Sequence, residues 1–307
     1  MEDELSAVLE LVDVRAVVSG GFAVRGPWVS RGATGAMWKF LAMVRGRAVL
    51  TTDGDDPCEL GPGDVALLNG RSRLELRGGD GDGPPREISP VTDRPGSLLL
   101  VEDRSPEDVV VGGHIDLTPP GRTLLLQALP PVACVRGTAA GGLRPTLERL
   151  FEEVAGGRIG AGFAIRQHAQ LLLLDVLRAW LDQAEPAPGW LRLAADTRLR
   201  PAVALLHSDP GRTWRLTELA RAAAMSRTTF TERFRAVAGV PPLTYLVQRR
   251  MLLAQQALRH EDTPVGALAT RLGYASAAAF STAFTREVGQ SPQRYRRHAD
   301  LAGPHGA

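Results

Sequence analysis

The chain has 307 residues, 44% hydrophobic and 23% charged, with a formal net charge of +2. That length allows about two domains with sizeable cores, and the composition excludes a disordered or collagen-like chain. The near-neutral total conceals two unlike halves. Residues 1–190 carry 19 Lys and Arg against 26 Asp and Glu, whereas residues 191–307 carry 17 Arg against 8. Only the second half has the field to attract a polyanion. Among all the basic residues Lys39 alone is a lysine, and arginine is the better bidentate partner for phosphate and guanine.

The N-terminus, MEDELSAVLELVD, is acidic and lacks the pattern of a secretory signal. The most apolar run, Leu171–Leu177, contains Asp175 and is too short to span a bilayer. A bacterial cytoplasmic protein, with no membrane partner, is expected. Residues 14–117 read as β-rich. The runs at 37–44, 46–52, 64–68, 73–77 and 97–103 are short and bounded by Gly, Pro and Asp, which suggests a sandwich or barrel. Residues 78–87, GGDGDGPPRE, read as a loop. The period then changes. Residues 145–157 read as a helix started by Pro145 and stopped by Gly156-Gly157, and 164–182 as a longer one with a wide apolar face. EPAPG at 185–189 reads as a linker, and all that follows reads as helix with short turns.

Between Leu216 and Tyr295 the chain repeats itself. Leu219-Ala220 matches Leu268-Ala269 at an offset of 49. Ser226, Phe230, Phe234, Gly239, Pro242 and Tyr245 match Ser276, Phe280, Phe284, Gly289, Pro292 and Tyr295 at an offset of 50. Such a repeat is one supersecondary unit used twice, and each unit reads as a helix-turn-helix. Ser226 and Ser276 are suited to cap the second helix of each unit. Phe230, Phe234 and Val237, at i, i+4 and i+7, point to the core. That leaves Arg227, Thr228, Thr231, Glu232 and Arg235 on the outer face of the first unit, and Ala277, Ala278, Ser281, Thr282 and Thr285 on that of the second. A helix face of this size fits the major groove of double-stranded DNA.

These motifs, LARAAAMSRTTFTERFRAVAGVPPLTYL and LATRLGYASAAAFSTAFTREVGQSPQRY, resemble the AraC/XylS family of bacterial transcription regulators over about residues 198–297. The resemblance implies base-facing positions at Thr228, Thr231, Glu232 and Arg235, and at Ala278, Ser281 and Thr282. Glu232 either accepts from cytosine N4 or orients Arg235. The second helix departs from the family by having no basic residue between Arg271 and Arg286. It offers methyl groups and hydroxyls but no bidentate guanine contact, so the first unit is expected to supply most base discrimination. Arg250, Arg294, Arg296 and Arg297 are candidates for phosphate contact, or else solvated or capping residues.

The N-terminal half resembles a cupin-type β-barrel, most clearly in ELGPGDVALLNGRSRLEL at 59–76. Metal-dependent cupins need two or three His and a Glu or Gln, yet His114 is the first histidine here and Arg73-Leu74 stands where the second motif would place one. No metal, cofactor or catalytic residue is expected. Trp28, Trp38, Phe40 and Met43 are candidates to line an effector pocket, or are simply core, with Trp38 and Phe40 on one strand face. Cys58 and Cys134 are too few for a disulfide framework. The acids around Cys58 raise a thiol pKa, which argues against a redox sensor. Leu171–Leu174 is a candidate homodimer surface, or packs on the barrel.

The expected fold is α+β and multidomain: a cupin-like sensor over 1–142 with its helical hairpin and linker at 143–190, then an all-α DNA-binding domain with two helix-turn-helix units over 191–300. The expected function is a non-enzymatic, sequence-specific transcription regulator controlled by a small-molecule effector, with RNA polymerase as a further possible partner. The alternatives are a cupin-fold metal enzyme with a DNA-binding tail and a regulator without effector.

Overall fold

The computed structural model of the chain describes residues 4–12, 14–34, 38–89, 98–100, 106–137, 142–184 and 186–302. By contact it divides into two compact units. One is Val14–Pro186; the other is Ala187–Ala307 together with Met1–Asp13. In chain order the elements open with α1 (Glu4–Val12), β1 (Arg15–Val24), β2 (Trp28–Ala33), β3 (Trp38–Arg45), β4 (Ala48–Thr52), β5 (Cys58–Leu60) and β6 (Val65–Leu68). There follow β7 (Arg73–Gly78), β8 (Arg86–Glu87), β9 (Leu98–Leu100), β10 (Asp108–Asp116), α2 (Pro119–Ala128), β11 (Val132–Val135), α3 (Leu143–Gly156) and α4 (Ala161–Gln183).

The strands of the first unit form two sheets, β11-β6-β3-β10-β1-β9 and β5-β4-β7-β2-β8. Period-2 alternation turns one face of each sheet toward the other. Phe22, Met43, Leu68 and Val110 from the first sheet meet Trp28, Leu50, Leu60 and Leu76 from the second in one buried cluster. The expected strands at 37–44, 46–52, 64–68 and 73–77 are β3, β4, β6 and β7 within a few residues. Of the expected strand at 97–103 only Leu98–Leu100 lies among the described residues. The expected loop at 78–87 ends in the two-residue β8, which runs parallel to β2. Helix α2, capped by the Thr118 hydroxyl, carries no strong period in the sequence that would mark it.

Cys58 and Cys134 are joined in a disulfide. Two cysteines too few for a framework thus still make one bond, because β5 and β11 are terminal strands of the two sheets and the bond closes the seam between them. A sequence separation of 76 residues gives no local sign of the pairing. Polar contacts hold the same seam. The Asp64 carboxylate accepts from Gly61 N–H and Gly137 N–H, both at 2.8 Å, and from Arg136 Nη1 at 2.9 Å. Gln183, in the last turn of α4, brackets Arg136 by accepting its N–H and donating to its carbonyl, each at 2.8 Å.

The hairpin α3–α4 covers the outer face of the six-stranded sheet. Leu172, Leu173, Val176 and Leu177 are buried, whereas Leu171 is 50% exposed. The Leu171–Leu174 run is therefore split between packing on the sheet and facing outward. Phe163 at 64% exposure and Ile159 lie outward as well. Thr146 Oγ1 donates to Asp175 at 2.7 Å and ties the two helices together.

The second unit is helical: α5 (Trp190–Ala195), α6 (Arg200–Ser208), α7 (Leu216–Ala222), α8 (Arg227–Ala238), α9 (Pro242–His260), α10 (Val265–Arg271), α11 (Ala277–Val288) and α12 (Pro292–Ala302). Two separate cores build it, one around Phe230 and Phe234 and one around Phe280 and Phe284. Helix α1 packs here, against α9 and α5, burying Leu5, Val8 and Leu11. Arg259 Nη2 donates to Leu11 O at 3.3 Å.

The seam disulfide sets a stability prediction. A disulfide typically contributes ~2–4 kcal/mol, toward the upper end for a long loop. Reductant should lower the urea midpoint of the first unit in the native chain, and leave the Cys58→Ser/Cys134→Ser variant unchanged at the lower value.

Candidate nucleic-acid interface

Each repeat sets one helix, α8 in the first and α11 in the second, on the same buried frame. In the first, Phe230, Phe234 and Tyr245 pack in series, tilted and then edge to face, with ring centroids 5.7 and 5.6 Å apart. In the second, Phe280, Phe284 and Tyr295 repeat the spacings at 5.7 and 5.6 Å. All four phenylalanines are fully buried. Each contributes roughly 2–3 kcal/mol of transfer free energy, and together they dictate which side of α8 and α11 is left outward. The tyrosine hydroxyls end each series differently. Tyr245 OH lies 2.7 Å from His207 Nε2, and Tyr295 OH accepts from Arg259 Nη1 at 2.7 Å. Burial, and then the charge of Arg249, pushes the His207 pKa down to about 3, so this ring is neutral at physiological pH.

The caps are as the sequence suggests. Ser226 Oγ accepts from Thr229 N–H at 3.2 Å and Ser276 Oγ from Ala279 N–H at 3.1 Å. Both helices stop at a glycine in the left-handed region, Gly239 and Gly289. The turn inside each unit needs a left-handed residue too. Gly273 takes it in the second unit at φ +78°, and Ala224 takes it in the first at φ +51°. They correspond at the offset of 49 that relates the Leu-Ala pairs.

The exposed face of α8 carries Arg227, Thr228, Glu232 and Arg235. Thr231 is half-buried, and its hydroxyl donates to Arg227 O at 2.9 Å. In α11, Ala277, Ala278, Thr282 and Thr285 are exposed and Ser281 is half-buried. A shallow depression of about 430 Å³ beside the N-terminus of α8 is lined by Thr217, Ala220, Arg221, Ala224, Met225 and Arg227. Arg221 was not singled out in the sequence, although its place three residues before Ala224 puts it at this edge.

Not every arginine faces outward. Arg250 Nε donates to Pro210 O at 2.6 Å, and its Nη2 to Arg212 O at 3.0 Å, with its guanidinium 5.7 Å from the Tyr274 ring. Arg296 donates to Thr263 O. Both guanidiniums are therefore engaged with the fold and only partly exposed. Arg294 and Arg297 are exposed. Arg271 pairs with Glu261 at 2.9 Å and Arg286 with Glu287 at 3.0 Å, so the cations flanking α11 are partly neutralised.

The four candidate effector residues of the first unit do not share one surface. Trp28 and Met43 lie in the cluster between the sheets. There Trp28 Nε1 donates to the buried Asp108 at 2.6 Å, and burial holds that carboxyl above the usual carboxylate range. Phe40 is on the opposite face of its sheet, where it lines a cavity of about 10 Å³ with Leu172, Leu173 and Val176 of α4. That volume holds at most one water. Trp38 shares that face by alternation. Among the described residues no three His, Cys, Asp or Glu side chains form a metal-binding group, and no helix is long and apolar enough to cross a membrane.

Comparisons with known proteins bear on both units. A cupin family model matches residues 3–182, and a helix-turn-helix domain model matches residues 219–298. A protein of Streptomyces antibioticus named as an AraC-like transcription regulator is 34% identical over 300 residues, which is 96% of this chain and 99% of that protein. One of Streptomyces lividans with the same description is 32% identical over 303 residues, or 97% and 99%. Among solved structures, the DNA-binding domain of AdpA, a global transcriptional factor, in complex with a target DNA is 35% identical. It covers 36% of this chain and 100% of that one, with a TM-score of 0.34.

The left-handed alanine carries the prediction here. A side chain in that region costs ~1 kcal/mol relative to glycine. Ala224→Gly should therefore raise the stability of the helical unit by ~0.5–1 kcal/mol in urea unfolding, whereas Gly273→Ala should lower it by at least as much.

Proposed function

The chain belongs to the AraC-like family of transcription regulators, and we propose that it reads DNA mainly through α8 while α11 anchors it. The observation that carries this reading is the contrast between two exposed faces built on one buried frame. Arg227, Thr228, Glu232 and Arg235 offer donors and acceptors for base edges, with Thr231 at the margin. Ala278, Ser281 and Thr282 offer methyl groups for thymine and hydroxyls for phosphate. The hydroxyls of Ser226 and Ser276 are engaged as caps, so their part in DNA contact is to present the first turn of each helix. Two such helices on one side of B-DNA would sit about one turn, ~34 Å, apart. DNA as the target implies the bacterial cytoplasm as the compartment.

The regulator acts as a homodimer through the outward side of α4, where Phe163 and Leu171 stand exposed two turns apart. Dimerisation would present four helix-turn-helix units to repeated sites. The first unit is the control element. A small-molecule effector acting between the sheets would meet Trp28 and Met43, whereas Trp38 and Phe40 would respond only through α4. Such a ligand shifts the DNA-competent population only by its differential affinity for two states. The side-chain cluster filling the space between the sheets favours a second reading, control by abundance or by a protein partner such as RNA polymerase. Thermal shift of the full chain against a metabolite panel separates the two.

Genome-wide mapping of binding sites, followed by quantitative footprinting, tests the DNA reading. Arg235→Ala should weaken specific binding by ~10-fold or more, and Thr282→Ala by ~3-fold or less; the reverse order would overturn the assignment of roles. Phe163→Glu/Leu171→Glu should convert a dimer to a monomer in light scattering, with weakened binding to paired sites and unchanged binding to a single site.

A further inference from the structure

The two recognition helices share a frame but not a surround. The segment Pro188–Asp196 lies outside the repeat, packs on α1 and holds α8 by contacts that have no counterpart on α11. Gly189 N–H donates to Val237 O at 2.9 Å, satisfying a carbonyl in the last turn of that helix. A Cβ built on Gly239, the C-cap of α8, would stand 3.3 Å from Pro188 O, whereas one built on Gly289, the C-cap of α11, would meet nothing within 4 Å. Helix α5 packs on α8, with Trp190, Leu191 and Leu193 buried. Asp196 completes the grip. Its Oδ2 accepts from Arg233 Nη2 of α8 at 2.6 Å, with only 7% of the aspartate side chain exposed. Its Oδ1 accepts from Arg198 N–H at 3.0 Å and Leu199 N–H at 2.9 Å. The carboxylate is thus held by the entry to α6 before it holds Arg233. At the offset of 50, the residue of α11 corresponding to Arg233 is Ala283, which has no such reach.

We propose that Asp196 and Arg233 are positioning residues that set the base preference of the first reader by fixing the roll of α8 about its axis. Arg233 lies about 140° around the helix from Thr228, at 100° per residue, so it does not face the DNA side itself. Its effect is geometric. A side-chain tip about 5–6 Å from the helix axis moves about 2 Å when the helix rolls by 20°. Base-edge hydrogen bonds tolerate only about 0.5 Å in length. A reader pinned at its C-terminus and at its rear discriminates between bases. One free to roll keeps its phosphate contacts and loses that discrimination. This explains why the polar recognition face coincides with the gripped helix. The inference rests on the reading of α8 as the principal reader.

The test uses the full-length chain and selection from a randomised DNA duplex library, alongside affinity for one fixed unrelated duplex. Asp196→Asn and Arg233→Met should each flatten the preference about 5- to 10-fold at the base pairs that Arg235→Ala also alters. Preferences altered by Thr282→Ala, and affinity for the unrelated duplex, should stay within twofold. The double variant should be no worse than either single, because one contact is removed in each. Arg233→Met leaves the bonds from Asp196 to Arg198 and Leu199 intact, so it remains informative if Asp196→Asn folds poorly. Unchanged preferences in Arg233→Met, or a uniform loss on all sequences together with a lowered Tm, would reduce the pair to an ordinary structural contact. If Arg235→Ala itself changes no preference, the reading of α8 as principal reader fails first, and the two failures are thereby told apart.

Discussion

Burial of two phenylalanines one helical turn apart, against a tyrosine from the following helix, is the constraint on which the DNA-binding unit depends. Phe230 and Phe234 cannot leave their core without exposing large apolar surfaces, and Phe280 and Phe284 are bound in the same way. Because side chains on a helix recur every 3.6 residues, fixing two of them inward fixes the whole outward stripe. The capping serines and terminal glycines then set where each stripe begins and ends. The outward residues take no part in the frame, which is how the same frame carries a polar face in one copy and a nearly apolar face in the other.

The arginines show how charge alone misleads. The helical unit is rich in them, yet several are spent on its own architecture. Arg250 satisfies carbonyls of the loop before α7, Arg259 and Arg296 reach a hydroxyl and carbonyls, and Arg233 reaches Asp196. Composition reports a positive field, which is a fair guide to a polyanionic partner. It does not distinguish a guanidinium in solvent from one bent back onto a carbonyl, since that depends on what lies within a few ångströms.

The first unit was legible at a coarser level. Short strands bounded by Gly, Pro and Asp announced a two-sheet fold, and the period change at Leu143 announced the hairpin. Phe40 and Met43 stand three residues apart on β3, so alternation alone puts them on opposite faces; the structure places Met43 between the sheets and Phe40 against α4. Alternation gives relative faces along one strand, but not which face meets the other sheet. Cys58 and Cys134 were missed as a pair for a related reason. Their strands end the two sheets, and sheet order is a property of long-range pairing rather than of either local segment.

Amino-acid order by itself determined the repeat, its caps, its buried phenylalanines and hence the two outward faces, because helix periodicity and capping are local and act within about four residues. It also determined the charge division between the halves. Tertiary structure alone decided that Asp196 holds Arg233 on α8, that α1 packs on α9, that a disulfide closes the seam, and that Leu171 faces outward while Leu172 and Leu173 face the sheet. Each of these joins elements distant in sequence or selects one side of an element, and contacts of that kind are chosen by the packing of the whole unit rather than by any neighbouring residue.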